Sequence, residues 1–107
     1  MADLQALVAQ AQATGTLPDL PDRHWIGGRW VPSFSNGRMA TFDPGTGAAF
    51  AEFAAGKAED VDAAVAAARA ALAGPWRRTS PAARGRVLLR TAALIRAHAD
   101  RLAVVEA

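Results

Sequence analysis

The 107-residue sequence predicts an α/β segment, in which a short N-terminal helix precedes two short β-hairpins and two α-helices. Its second half repeats apolar residues at the three- and four-residue spacing of a helix face. Its middle part consists of short runs rich in β-forming residues, separated by glycine-containing turns, which is typical of hairpins. A chain of this length forms one domain at most.

The first predicted element is a helix that begins after Asp3, whose side chain can cap it, and ends near Gly15. One apolar face of this helix is formed by Leu4, Leu7, Val8 and Ala11. Residues 17–22 contain two prolines and are predicted to be an extended linker, because proline blocks helical continuation. We therefore divide the chain into residues 1–22, the helix and linker, and residues 23–107.

Two turns predict the hairpins. Gly27 and Gly28 can both take the positive φ that a type I′ turn requires. The second turn is the segment 43–47, with the sequence Asp-Pro-Gly-Thr-Gly. The predicted strand pairs are 24–26 with 29–31, and 38–42 with 48–54.

Two helices are predicted after the hairpins. The first ends at Gly74-Pro75, and its apolar face consists of Val61, Val65, Ala68 and Leu72. The second begins with Ser80 as N-cap and Pro81 as its first residue. We call its apolar positions the long-helix seam: Leu88, Ala92, Ile95, Ala99 and Leu102. No glycine, proline or cap follows them, so this helix is predicted to continue to Ala107.

The apolar content is mostly alanine, which contributes 28 residues. Burial of apolar surface stabilises by roughly 25 cal/mol per Å², whereas ordering the backbone costs about 1–2 kcal/mol per residue. Because alanine buries little area, we predict that the chain alone is only marginally stable. Its helices should need a partner surface.

Charge is unevenly distributed along the chain. Residues 1–68 carry four basic and eight acidic side chains, whereas residues 69–107 carry eight arginines and two acidic residues. A cluster of arginines leaves a nucleic-acid binder open as an alternative, but no known binding module accompanies it, and we expect no nucleic-acid partner. The cluster consists of Arg77, Arg78, Arg84, Arg86 and Arg90.

Several classes of site are excluded or unsupported. With no cysteine, the chain has no disulfide, thiolate metal site or thiol nucleophile of its own. Gly45–Phe50 begins like a dinucleotide fingerprint, but a strand-like run follows it where a helix is required, so we interpret it as a turn. His24 and His98 lie in no metal-binding pattern. We find no signal peptide or membrane span and expect a cytoplasmic protein.

Four blocks, taken in order and spacing, resemble the N-terminal segment of the NAD(P)-dependent aldehyde dehydrogenase superfamily. The resemblance covers about residues 25–107. The blocks are Ile26–Val31, Thr41–Gly47, Glu59–Val65 and Ala83–Leu89. The family often has a serine or threonine at the N-cap where this chain has Lys57, so Gly56 or water would have to satisfy the free amides there.

The resemblance implies a function for the intact parent enzyme. Aldehyde dehydrogenases oxidise an aldehyde to a carboxylic acid through a cysteine thiohemiacetal, hydride transfer to NAD or NADP, and thioester hydrolysis. The cysteine, the glutamate base, the oxyanion-binding asparagine and the cofactor contacts have no counterpart in this chain. By resemblance, the chain is an inert N-terminal fragment that ends within a helix. Its partner is the remainder of the same enzyme, which is expected to be a homo-oligomer.

Some family members also bind a monovalent cation just before the Asp-Pro block. The corresponding residues are Thr41 and Phe42, which would offer a hydroxyl and a carbonyl oxygen to K⁺ or Na⁺. Two oxygen ligands are too few to hold such an ion, so other parts of the enzyme would have to complete the site. The alternative from another class is a free-standing small helical interaction or regulatory protein derived from this segment.

Overall fold

Helix caps and tight turns set where the elements of this chain begin and end. The computed structural model describes residues 4–16 and 19–106. The predicted fold class is confirmed: helices accompany two small strand pairs. A 3₁₀ helix at Pro75–Arg78 was not predicted. The other elements are α1 (Leu4–Thr14), β1 (His24–Ile26), β2 (Arg29–Val31), β3 (Arg38–Phe42), β4 (Ala49–Ala54), α2 (Ala58–Ala73), α3 (Pro81–Ala97) and α4 (Ala99–Glu106).

The first hairpin has the predicted turn. Strands β1 and β2 are antiparallel, with Trp25 opposite Trp30. Gly27 and Gly28 have φ values of 60° and 78°, as a type I′ turn requires. The rings of the two tryptophans meet edge to face with centroids 4.9 Å apart, which is a favourable geometry for an aromatic pair. The turn residues thereby fix a register that places two large aromatic side chains together.

The second hairpin pairs β3 with β4, and β4 begins at Ala49, one residue later than predicted. Arg38 joins this hairpin to the chain before β1. Its guanidinium donates to the Glu52 carbonyl at 3.0 Å and to the Asp22 carboxylate at 3.3 Å. The Asp22 carbonyl accepts from the Ala54 amide at 2.9 Å. The segment before β1 is therefore held beside β4.

The N-cap residue of helix α2 is Lys57. We expected Gly56 or water to accept from the free amides at this end of the helix, and this is wrong for two of those amides. The Asp60 amide donates to the Lys57 carbonyl at 3.1 Å. The Lys57 amide donates to the Asp60 carboxylate at 2.9 Å. The acidic side chain three residues into the helix therefore supplies its half of a capping box. The helix ends at Gly74, whose amide donates to the Ala70 and Ala71 carbonyls.

The single long helix that the sequence predicts is broken at His98. Ser80 caps α3 as expected, accepting from the Ala83 amide at 3.2 Å. His98, with φ −113° and ψ 18°, lies outside both α3 and α4. Its amide donates to the Leu94 and Ile95 carbonyls, and its own carbonyl accepts from the Leu102 amide. His98 thus ends one helix and starts the next, and the long-helix seam spans two helices. Ala107, to which this helix was predicted to continue, lies outside the described residues.

The predicted N-terminal helix is confirmed as α1, which ends at Gly15 in the left-handed conformation with φ 66°. The expected cap Asp3 and the linker residues Leu17 and Pro18 lie outside the described residues. The chain forms two compact units. One contains α1, the segment Phe42–Phe50, α3 and α4, and the other consists of Leu20–Thr41 and Ala51–Thr79. The boundary expected after residue 22 stays a prediction.

Little apolar surface is buried within the part of the chain that the structure describes. Leu7 and Ala54 are the buried apolar residues there, each 6% exposed. The long-helix seam is open, and Leu88 and Ile95 are 70% and 55% exposed. Across residues 4–16 and 19–106, no helix has both the length and the apolar character needed to cross a membrane. The described residues therefore bury few apolar side chains, as their high alanine content leads one to expect.

Candidate functional site

Asp60, in the first turn of α2, carries the buried carboxylate of the described residues. It is 8% exposed, and its carboxylate accepts from the Lys57 amide at 2.9 Å and from the Phe34 amide at 2.8 Å. These bonds hold the pKa of Asp60 below its usual value of 3.8, the Lys57 bond most strongly, and the nearby charge of His24 adds to them. Burial opposes this shift. The carboxylate is therefore a fixed acceptor, which does not suit it to donate or shuttle protons.

His24 begins β1 as predicted, and its ring packs beside Gly56. A Cβ added to Gly56 would lie 3.5 Å from the His24 Cε1. The His24 Nε2 atom is buried and has no hydrogen-bond partner among the described residues. Within the same residues no three carboxylate, histidine or cysteine side chains are grouped as metal ligands. His24 is thus a packed ring next to a structural carboxylate.

The segment that begins like a dinucleotide fingerprint forms a turn. The Asp43 carboxylate accepts from the Gly45 amide at 2.7 Å, and the Gly47 amide donates to the Asp43 carbonyl at 2.7 Å. The Gly45 bond, followed by bonds from Thr46, lowers the pKa of Asp43. Strand β4 follows at once, as the interpretation of a turn between strands requires. No helix N-terminus is present here to receive a pyrophosphate, so these glycines do not fit a dinucleotide.

The candidate cation ligands, Thr41 and Phe42, end strand β3. The Thr41 residue is half-buried, whereas Phe42 is 60% exposed. A hydroxyl and a main-chain carbonyl are hard oxygen ligands of the kind that such cations take. The two positions supply too few of them for a complete site, so this assignment stays a prediction.

Two depressions lie on the unit that contains β1, β2 and α2. One, of about 550 Å³, runs between the first hairpin turn and α2 and is lined by Trp25, Ile26, Gly27, Gly28, Ala64, Ala67, Ala68, Ala70 and Ala71. The other, of about 390 Å³, lies beside the ion pairs of Arg38. Its lining is Asp22, Arg23, Pro32, Ser33, Asn36, Gly37, Arg38 and Ala54. Neither contains a nucleophile with an adjacent base, the minimum for covalent catalysis.

The arginines that suggested a polyanion site are distributed over two elements. Arg77 and Arg78 are in the 3₁₀ helix, and the other three are in α3. Successive helix residues are 100° apart, so Arg86 and Arg90 share a side of α3 whereas Arg84 points elsewhere. The cluster therefore does not form a single stripe of positive charge.

Sequence reasoning missed the link that Asp60 makes to the loop after β2. The local signal was present, because an acidic residue at the third helical position is half of a capping box. The bond to Phe34 crosses 26 positions and has no local signal. The break at His98 was also missed, although Asp100 in the first turn of α4 is favoured at a helix N-terminus.

Comparison with known proteins identifies the family. The sequence profile described as "Aldehyde dehydrogenase family" matches residues 30–107. Phenylacetaldehyde dehydrogenase of Pseudomonas fluorescens is 44% identical over 88 residues, which cover 81% of this chain and 18% of that protein. Aminoacetaldehyde dehydrogenase of Pseudomonas aeruginosa is 41% identical over 107 residues, which cover 99% of this chain and 21% of that protein. The second alignment therefore includes the α1 segment.

The fold comparison agrees with the sequence comparison. A crystal structure of a protein assigned to the aldehyde dehydrogenases, from Burkholderia cenocepacia, superposes with a TM-score of 0.76 at 43% identity. The match covers 78% of this chain and 18% of that one. This chain thus spans about a fifth of the length of the relatives it matches. By both sequence and fold, the chain belongs to the aldehyde dehydrogenase family and corresponds to an N-terminal segment of it.

Proposed function

We propose that the protein containing this segment is an NAD(P)⁺-dependent aldehyde dehydrogenase, which oxidises an aldehyde to a carboxylic acid. The observation that carries the proposal is the family match over residues 30–107, together with relatives named for aldehyde oxidation. The reaction removes a hydride from the substrate, and the nicotinamide cofactor accepts it when bound. No residue of this segment is assigned to catalysis or to cofactor binding.

The contribution of the segment is structural in this proposal. The Asp60 network orders the start of α2, and the first hairpin and α3 present open apolar surface. Exposed apolar area of this extent is typical of a surface that another part of a protein covers. We assign that cover to the remainder of the same enzyme, assembled as a homo-oligomer in the cytoplasm. Light scattering of the purified protein measures the oligomeric state.

The activity is tested with the protein as the complete reading frame encodes it. With phenylacetaldehyde, aminoacetaldehyde or benzaldehyde, we expect formation of NADH or NADPH and of the matching acid. Residues 1–107 alone, which lack cysteine, should form neither. A reading frame that stops at Ala107 would support the free-standing helical protein instead. Turnover by residues 1–107 alone would contradict the structural assignment of this segment.

We also propose that Thr41 and Phe42 contribute to a K⁺ or Na⁺ site in the intact enzyme. The support is chemical: the two residues offer a hydroxyl and a carbonyl at the end of β3. Thr41→Val removes the hydroxyl at nearly constant volume. If the site exists, the thermal stabilisation of the enzyme by KCl or NaCl over choline chloride should be reduced in the variant. Identical salt responses in variant and wild type would reject the site.

A further inference from the structure

Helix α1 lies outside residues 30–107, the part that matches the family profile, and the function proposed above gives it no role. It nevertheless contains one of the two buried apolar residues of the described chain, Leu7. Helix α1 contacts α4 within the same compact unit. Part of its apolar face is covered: Leu7 is buried and Ala11 half-buried, whereas Leu4 and Val8 are 40% and 36% exposed. Leu7 is therefore the residue through which this helix is anchored.

Helix α1 has little stability of its own. It has 11 residues, fewer than the roughly 12–15 at which isolated helices become even marginally stable in water. It contains no charged side chain, so no ion pair between successive turns supports it. Within Leu4–Thr14 no acidic residue occupies the first turn and no basic residue the last, so the helix's own side chains do not compensate its dipole. The helical state of this segment therefore depends on the surface against which Leu7 packs.

Helix α4 is also too short to be stable on its own. It has eight residues, and the break at His98 separates it from the hydrogen-bond ladder of α3. Its less exposed positions are Arg101 and Val104, while Leu102 in the long-helix seam is 49% exposed. The contact with α1 therefore covers a different side of α4 from the seam, which stays open for the rest of the protein.

We propose that α1 is an intramolecular strap, which folds by docking Leu7 against α4 and stabilises α4 in return. Because a coupling free energy between two elements is reciprocal, each helix should lose order when the contact is lost. The strap leaves the long-helix seam free, so it adds support to α4 without competing for the apolar surface assigned to the remainder of the enzyme.

Amide hydrogen exchange of the full-length protein tests the strap. Leu7→Ala removes the anchor but raises the intrinsic helix propensity of α1, so faster exchange would report lost docking. We expect the amides of Val8–Thr14 and Leu102–Glu106 to exchange at least tenfold faster, while those of α2 stay unchanged. The matched control is Gln12→Ala, at an exposed position of the same helix, which should leave both segments unchanged.

Three outcomes of the Leu7→Ala experiment would overturn the proposal. Unchanged exchange in α1 and α4 would show that Leu7 is not an anchor. Faster exchange in α1 alone would show that α4 gains nothing from it. Equal acceleration in α2 would show global destabilisation. Deletion of residues 1–16 gives an independent readout, because α4 should then exchange as in Leu7→Ala, and wild-type exchange of α4 in the deletion variant would reject the strap.

Discussion

The carboxylate of Asp60 accepts a hydrogen bond from the main-chain amide of Phe34 at 2.8 Å, across 26 positions of the sequence. Its second oxygen accepts from the Lys57 amide at 2.9 Å. One side chain therefore holds both the N-cap residue of α2 and the loop that follows β2. Both bonds are partly buried, so removal of the carboxylate would leave two main-chain amides without an acceptor where access of water is restricted.

Replacing Asp60 should destabilise the protein more than replacing its neighbour on the same helix. Asp60→Ala removes the acceptor of two main-chain amides, whereas Asp62→Ala removes an exposed carboxylate of equal charge. We expect the first variant to melt several degrees below wild type and the second to stay close to it. Differential scanning calorimetry of the full-length protein measures both. Equal melting temperatures would show that the Asp60 bonds contribute nothing.

The stability that Asp60 provides should disappear in acid. Its folded-state pKa is lowered from 3.8, so above that pH both folded and unfolded states are ionised and the stabilisation is complete. As the pH falls below 3.8, the unfolded state binds the proton first, and the stabilisation is lost through the folded-state pKa. Urea midpoints between pH 7 and the acid limit of folding should fall less in Asp60→Ala than in wild type. Parallel curves would contradict this assignment.

The first hairpin should be sensitive to the loss of glycine for a conformational reason. Nothing lies within 4 Å of a Cβ built on Gly28, so a side chain has room there, but its φ is 78°. A residue other than glycine in this region costs roughly 1–2 kcal/mol. Gly28→Val should lower the free energy of unfolding by about that amount. Gly28→Asn should cost less, because asparagine tolerates positive φ, and equal losses in urea titrations would argue against the type I′ turn.

The long-helix seam should contribute to stability only in the intact protein. Ile95 is 55% exposed in this segment, so Ile95→Asp should leave residues 1–107 nearly unaffected. In the full-length protein it should cost several kcal/mol, because an unpaired carboxylate would be placed in an apolar contact. The matched variant is Arg90→Ala, at an exposed position of α3, with an expected effect within about 0.5 kcal/mol. Arg101→Ala is not a suitable control, because Arg101 is half-buried.

Soluble yield, melting temperature and turnover per titrated active site separate the effects of Ile95→Asp. We expect less folded enzyme with unchanged turnover per site. A turnover defect in a fully folded variant would show that the helix does more than support the fold. Equal behaviour of Ile95→Asp and Arg90→Ala would show that nothing packs on the seam.

Residues 1–107 alone should unfold without a sharp transition. Leu7 and Ala54 are the buried apolar residues of the described chain, and most of its apolar side chains are alanine. With so few buried apolar side chains, the described residues have little to make unfolding cooperative. Broad melting or self-association of the isolated segment is the expected result. A single cooperative transition of the monomer, with equal calorimetric and van't Hoff enthalpies, would contradict it.

Local chemistry determined much of this structure from the sequence alone. Gly27 and Gly28 predicted the first turn, because few other residues adopt its dihedral angles. Ser80 and Pro81 predicted the start of α3, because both residues are favoured at a helix N-terminus. The face of α1 followed from helical spacing, and the order of four sequence blocks identified the family. The turn, the helix start and the helix face each depend on residues close together in the chain, and the family blocks are each short runs read in order along it.

Tertiary structure decided what depends on distant residues. The second partner of Asp60 is 26 positions away, and α1 lies more than 80 positions from the helix it contacts. Neither pairing leaves a periodic signal. The break at His98 was not evident either, because the seam spacing continues through it and no glycine or proline marks it. Residue spacing shows which residues can share a helix face. Which surface packs against that face depends on contacts between distant segments, and these form only in the folded protein.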